Sequence, residues 1–149
     1  GRLSFRLMNM ANHLLQAPPI QFNISHAGNY LACVIANEPV GVDIEIIKTA
    51  NMQIAKRFFT PDETAYTMHG HKNIRFYEVW TKKRAESNGK ERACINLYPF
   101  SVFESNTQKQ LIYHNVFQNN EAICHVCSTK QKPPLVRMID TTRFINSII

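Results

Sequence analysis

Two carboxylates, Asp43 and Glu45, stand two residues apart in the mainly apolar segment 41–45, GVDIE. Residues two apart in an extended strand point to the same side, so both acids are predicted on one face while Val42 and Ile44 turn towards the core. Neighbouring carboxylates repel each other and favour a cation between them. Their hard oxygen atoms suit Mg²⁺, which binds one or two protein carboxylates together with the phosphates of a substrate. The alternative is an exposed edge strand, on which the same pattern has no ligand.

Polar groups before and after this segment could contact the same phosphates. Ser25 and His26 end a predicted strand just before a glycine-containing turn, and both side chains can donate hydrogen bonds to phosphate oxygens. A predicted helix further along carries Lys83 and Lys90, together with one more carboxylate, Glu86. The alternatives are structural: a Ser-His pair that only ends a strand, and a solvated basic helix face on which Glu86 and Lys90 form an i,i+4 ion pair.

Periodicity predicts the elements that must position these groups. Alternating apolar residues bounded by turn signals favour strands, and apolar residues at helical spacing favour helices. The predicted strands are 20–25, 30–36, 40–46, 100–104, 111–117, 122–128 and 135–139, and the predicted helices are 52–59, one that begins at 60–63, and about 73–87. Strands, then helices, then strands predict an α+β domain with a mostly antiparallel sheet and helices packed on one face.

Two local signals refine this outline. Thr60 suits the N-cap of the second helix, Pro61 suits its first helical position, and Glu63 completes a capping box. Gly41 precedes the carboxylate pair and predicts a close approach of another backbone segment at that point.

Length and composition limit the possible functions. The chain has 149 residues, of which 44% are hydrophobic, and this suits one globular core; we expect a domain over 20–149 preceded by a remnant or linker over 1–19. A formal charge of +6 favours phosphorylated or acidic partners. Because no basic stripe is interleaved with aromatic residues, we rank a nucleic-acid partner well behind. No apolar run approaches a membrane span or a secretory signal, so no membrane partner is expected and the cytoplasm is the expected location.

The cysteines predict no catalytic site. Cys124 and Cys127 have the spacing of half a zinc site, yet no second pair of suitable spacing accompanies them. On the strand predicted there, residues three apart point to opposite faces, so the two thiols should diverge. They are interpreted as core or surface cysteines in a reducing compartment, with zinc as the alternative.

Four segments together resemble a known family. They are 22–28 (FNISHAG), 41–45 (GVDIE), 55–63 (AKRFFTPDE) and 80–83 (WTKK), in that order. Their sequence is similar to that of the 4′-phosphopantetheinyl transferase superfamily, of the surfactin-synthetase-activating type, from about residue 22 to the C-terminus. The resemblance implies the C-terminal half of that two-part fold, one pseudo-repeat with extra C-terminal strands.

The resemblance also implies a reaction and a set of residues. The family transfers the phosphopantetheine arm of coenzyme A to a carrier-protein serine with Mg²⁺, and releases 3′,5′-ADP. The residues that it assigns to ligands are Asp43, Glu45 and Glu86 for the metal, and Ser25, His26, Lys83 and Lys90 for coenzyme A. The candidate catalytic residues are Glu45, Glu63 and Lys90. An acidic acyl or peptidyl carrier protein is the expected partner of a basic chain.

The chain departs from the family pattern at the third metal ligand. The family motif reads Trp-x-x-Lys-Glu-x-x-x-Lys, and here Arg84 stands where that Glu is expected. Glu86 and Lys90 keep the Glu-x-x-x-Lys spacing two residues late, and two residues on a regular helix turn a side chain by roughly 200°. Glu86 can therefore join the metal site only if the helix is bulged or re-registered.

The second departure is length, since one half of the fold leaves the face between the halves uncovered. Self-association into a homo-oligomer and an incomplete chain are the two explanations. The alternative to an active transferase is a coenzyme A-binding homologue or scaffold without turnover.

Overall fold

The computed structural model describes residues 20–89, 100–103 and 111–142. These form six strands: β1 (Gln21–Ala27), β2 (Tyr30–Ala36), β3 (Gly41–Ile46), β4 (Ile112–Gln118), β5 (Ala122–Ser128) and β6 (Leu135–Asp140). Between β3 and β4 lie three helices, α1 (Met52–Phe58), α2 (Pro61–Met68) and α3 (Lys72–Gly89). The predicted order of strands, helices and strands is confirmed. Residues 1–19, including the predicted linker, lie outside the described residues, as does Lys90.

The strands form two antiparallel sheets of three strands each. One has the order β1-β2-β6 and the other the order β3-β5-β4. Every strand pair is antiparallel, and β4 carries a register shift between Asn115 and Phe117. The α+β class with antiparallel sheet structure is confirmed, and the structure adds that the strands divide into two sheets.

The main core lies between the two sheets. Val34 of β2 packs with Val42 and Ile44 of β3 and with Cys124 and Val126 of β5, and all five are buried. The inward orientation predicted for Val42 and Ile44 is therefore confirmed. The opposite face of β3 is left for its polar residues.

Helix α3 packs across β3 and β5 on the side away from this core. At Gly41 a Cβ atom would lie 1.8 Å from the carbonyl oxygen of Ala85 and 2.5 Å from the backbone nitrogen of Gly89, so the helix backbone rests directly on the strand. The close approach predicted at Gly41 is confirmed. It brings the second half of α3 against the start of β3, beside the carboxylate pair.

The ends of the helices follow their local signals. Thr60 caps α2 with Pro61 in its first turn, and Glu63 completes the predicted capping box. The strand predicted over 100–104 is wrong for its described part, since 100–103 contains a turn. The backbone N–H of Val102 donates to Glu63 Oε1 at 2.7 Å, so this short segment is bonded to a helix side chain.

Among the described residues, none of the helices combines the length and apolar character needed to cross a membrane.

Candidate functional site

Asp43 and Glu45 lie on the face of β3 that meets α3. The side chain of Asp43 is 1% exposed and that of Glu45 is 28% exposed, so the pair extends from the protein interior to its surface. Both belong to the strand whose intervening residue, Ile44, is in the core between the sheets. The predicted same-face arrangement follows from this alternation.

Arg84 of α3 contacts both acids. Its Nε lies 3.3 Å from Asp43 Oδ1 and 4.0 Å from Glu45 Oε1, and its side chain is 43% exposed. The guanidinium carbon lies 5.9 Å from the centre of the Trp80 ring, one helical turn earlier. A cation from the helix thus stands between the two carboxylates, with part of its surface open to solvent.

The environment of Asp43 opposes its negative charge. Burial raises the pKa of this carboxyl from 3.8 to about 7, Arg84 lowers the pKa, and the charge of Glu45 raises it. The hydroxyl of Ser25 donates to Oδ1 at 3.3 Å, whereas Oδ2 is buried and has no hydrogen-bond partner. A buried oxygen of this kind costs free energy, and Asp43 is only partly neutralised by the groups around it.

Side chains of β1 form hydrogen bonds with the backbone groups along the unpaired edge of β3. As the outer strand of its sheet, β3 has backbone groups that no neighbouring strand pairs. Asn23 Oδ1 accepts from the N–H of Val42 at 3.0 Å, and Ser25 Oγ accepts from the N–H of Ile44 at 3.2 Å. Asn88 of α3 donates to the carbonyl of Val42 at 3.0 Å. These bonds hold β3, and with it the acids, against β1 and α3.

The two residues predicted to hold phosphates do not converge. Ser25 is half-buried and bonded to β3, while His26 is exposed on the opposite face of β1, as neighbouring strand residues must be. His26 shares that outward face with Phe22 and Ile24, which are largely exposed.

Glu63 and Lys83 form a separate, fully buried ion pair. Their charged groups lie 3.0 Å apart and both side chains are 0% exposed. Glu63 accepts from the backbone N–H groups of Thr60 and Val102, and Lys83 donates to the carbonyl of Phe100. The pair joins α2, α3 and the segment 100–103. The catalytic role predicted for Glu63 and the coenzyme A contact predicted for Lys83 stay predictions.

Glu86 points away from the β3 acids. It accepts a hydrogen bond at 2.6 Å from the hydroxyl of Tyr113 on β4, and is 7% exposed. Helix α3 is continuous from Lys72 to Gly89 and has no bulge, so the turn of roughly 200° between Arg84 and Glu86 separates their directions. Within the described residues no three His, Cys, Asp or Glu side chains form a group that could hold a metal ion.

These side chains do not fit the three-carboxylate magnesium site that the resemblance implies. Asp43 and Glu45 have the right donor atoms for Mg²⁺. Arg84, however, holds a positive charge at the place of the third ligand, and Glu86 is engaged with Tyr113.

Sequence reasoning missed two residues around the acids, Asn23 and His125. Asn23 lies one strand repeat before Ser25, and this alternation was the signal that both face β3. His125 of β5 pairs in register with Asp43, and its Nδ1 lies 2.7 Å from the hydroxyl of Thr81. Burial, followed by the charge of Lys82, lowers the pKa of His125 to about 3, so it is neutral. No sequence motif marks His125.

Comparisons with known proteins identify a family for most of the chain. Residues 39–146 match the family model described as the 4′-phosphopantetheinyl transferase superfamily. The 4′-phosphopantetheinyl transferase Sfp of Bacillus subtilis is 37% identical over 71 residues, which cover 46% of this chain and 32% of Sfp. The transferase gsp of Aneurinibacillus migulanus is 39% identical over 69 residues, 44% of this chain and 29% of gsp. The transferase psf-1 of Bacillus pumilus is 36% identical over 73 residues, 47% of this chain and 31% of psf-1. The chain thus spans about a third of the length of these relatives.

Proposed function

Because the chain belongs to the 4′-phosphopantetheinyl transferase superfamily, we propose that it takes part in transferring the phosphopantetheine arm of coenzyme A to a carrier-protein serine. The observation that carries this proposal is the placement of Asp43 and Glu45 on one face of β3, within the residues that match the family. The two acids and Arg84 together supply a proton acceptor and a phosphate-binding cation.

In the proposed reaction the serine oxygen bonds to the β-phosphorus of coenzyme A. The bond between that phosphorus and the oxygen of the departing 3′,5′-ADP breaks, and the serine proton goes to a carboxylate. Glu45 is the more exposed of the two acids, so it is the proposed proton acceptor. The guanidinium of Arg84 is a partly exposed cation, which suits the negative charge that develops on the phosphate.

The partner side of the proposal rests on charge. The chain carries a formal charge of +6, and the proposed carrier protein is acidic around its serine. The relatives are about three times as long as the matched part, so a second copy or another chain segment is proposed to complete the site. Light scattering of the purified protein measures the oligomeric state.

Mass spectrometry of an apo carrier protein tests the transfer. The chain is incubated with coenzyme A and a panel of acyl and peptidyl carrier proteins, with and without Mg²⁺. A mass gain equal to one phosphopantetheine arm is expected, and E45Q should reduce its rate by at least about tenfold because the proton acceptor is lost. No gain on any carrier, in either condition, would contradict the proposal.

A second candidate is coenzyme A binding without turnover. The observation that favours it is Arg84, which stands 3.3 Å from Asp43 where the family has a metal-binding acid. Calorimetric titration with coenzyme A separates the two candidates. Binding without any mass gain on the carrier panel supports this second function, and binding with a mass gain supports the first.

A further inference from the structure

Arg84 occupies the space between the two β3 acids. One atom, Nε, lies within ion-pair distance of Asp43, at 3.3 Å, and at the edge of that distance from Glu45, at 4.0 Å. A bridging metal ion needs the same position, because it must approach both carboxylates. A guanidinium and a metal ion cannot hold that position together, since both are positively charged.

Arg84 is also held in place by the backbone. It precedes Ala85, whose carbonyl oxygen lies so close to Gly41 that a Cβ there would come within 1.8 Å. The position of the guanidinium beside the acids is therefore set by a helix whose backbone packs directly on their strand. A tethered group acts at a high effective concentration, so a free ion competes with it at a disadvantage.

Both acids of the helix, Glu78 and Glu86, are hydrogen-bonded elsewhere, and Glu78 accepts from the hydroxyl of Tyr66 at 2.6 Å. Glu86 accepts from the Tyr113 hydroxyl at 2.6 Å, and the described residues contain no group of three metal-binding side chains. Two carboxylates remain for a metal, and both face Arg84.

We infer that Arg84 is a built-in replacement for the divalent cation of this site. The cluster of Asp43, Arg84 and Glu45 is complete without a metal ion, and the protein binds no Mg²⁺ there. Removal of the positive charge at position 84 opens the site, and an acid at that position supplies a third carboxylate. The inference is independent of transfer activity, because it concerns an ion and three side chains of this chain.

Thermal unfolding with and without Mg²⁺, combined with calorimetric titration of Mg²⁺ alone, tests the inference. For the wild-type protein we expect no change in Tm and no heat of binding. For R84E we expect Mg²⁺ binding at least about tenfold tighter than to the wild type. At an ion concentration tenfold above Kd, the Tm of R84E should then rise by about 3–5 °C.

Two matched variants locate the effect. R84K keeps the positive charge and should bind no Mg²⁺, as in the wild type. The double variant R84E/D43N lacks one carboxylate of the site and should lose most of the gain seen in R84E. Mg²⁺ binding by the wild type that D43N abolishes would overturn the inference, and so would a folded R84E without Mg²⁺ binding.

A third variant covers the case in which R84E does not fold. R84Q removes the cation without adding a third negative charge. We expect it to bind Mg²⁺ more weakly than a three-carboxylate site does, but measurably above the wild type. A folded R84Q with no response to Mg²⁺ counts against the inference.

Discussion

Consecutive residues of α3, Lys83 and Arg84, pair with acids in two different surroundings. Lys83 lies 3.0 Å from Glu63 in a region where both side chains are 0% exposed. Arg84 lies 3.3 Å from Asp43, and its side chain is 43% exposed. Adjacent positions on a helix point about 100° apart, so one residue enters the protein while the next reaches the surface.

The two pairs differ in how completely their polar atoms are bonded. Both oxygens of Glu63 accept backbone hydrogen bonds, and Lys83 adds a bond to the carbonyl of Phe100. Asp43, by contrast, has a buried oxygen without a partner. Removing one partner of the buried pair would leave an uncompensated charge in the interior, whereas the partly exposed pair at Asp43 retains the capacity to exchange partners.

The largest expected effect comes from breaking the buried pair. K83M leaves the Glu63 charge without a cation in the interior, and we expect a loss of about 3–5 kcal/mol in the free energy of unfolding. Urea denaturation measures this loss. E63Q/K83M removes both charges and should recover part of it. A loss below about 1 kcal/mol in K83M would show that the Lys83–Glu63 pair matters no more for stability than a surface ion pair does.

The next effect concerns the contact that brings α3 to β3. G41A places a Cβ within 1.8 Å of the Ala85 carbonyl oxygen, so the helix must move away from the acids. We expect a cost of about 1–3 kcal/mol or more in urea denaturation. In the same variant the ion pair between Arg84 and Asp43 should weaken, because the helix that carries Arg84 moves away from β3. An unchanged stability would contradict the close approach.

Acid should weaken the fold through His125. Burial lowers its pKa from 6.5 to about 3. Below pH 6.5 the unfolded chain therefore binds a proton at His125, while the folded protein keeps this side chain neutral. Stability from this residue is present above pH 6.5 and is lost as the pH falls. Between pH 7.5 and 5 we expect a loss of about 2 kcal/mol in the free energy of unfolding.

A matched variant is needed to isolate the contribution of His125, because Asp43 changes the stability with pH in the opposite direction. With its pKa raised to about 7, folded Asp43 takes up a proton before the unfolded chain does, and so favours the fold as the pH falls towards 4. The measurement is the difference in stability between wild type and H125N at each pH. The advantage of the wild type should shrink by about 2 kcal/mol on going from pH 7.5 to 5. A constant difference would show that His125 titrates normally.

The smallest expected effect is that of R84Q on stability. Arg84 is partly exposed, and without it Asp43 can take up a proton near neutral pH instead of remaining a buried charge. We therefore expect a loss below about 1 kcal/mol, well under that of K83M. Urea denaturation of the two variants side by side compares the regions directly. If R84Q lost as much stability as K83M or more, the Arg84–Asp43 pair would also have to contribute strongly to the stability of the fold.

Much of the local structure could be predicted from the sequence. The alternation around Asp43 and Glu45 placed both acids on one face of a strand, and the capping box at Thr60 and Glu63 formed as predicted. The strand prediction over 100–104 is wrong for residues 100–103, whose apolar character suggested a strand, because the backbone N–H of Val102 instead donates to Glu63. A short segment is decided by what it packs against, and periodicity does not report that.

The directions of side chains within each element could be read from the order of residues alone. Helical spacing separates Arg84 from Glu86, and strand spacing separates Ser25 from His26, since the backbone repeats of 3.6 and 2 residues are set by local geometry. Which distant groups meet is visible only in the folded protein. Lys83 reaches Glu63, Arg84 reaches Asp43 and Ser25 reaches β3, because these contacts depend on how separately formed elements pack, and no local repeat encodes that.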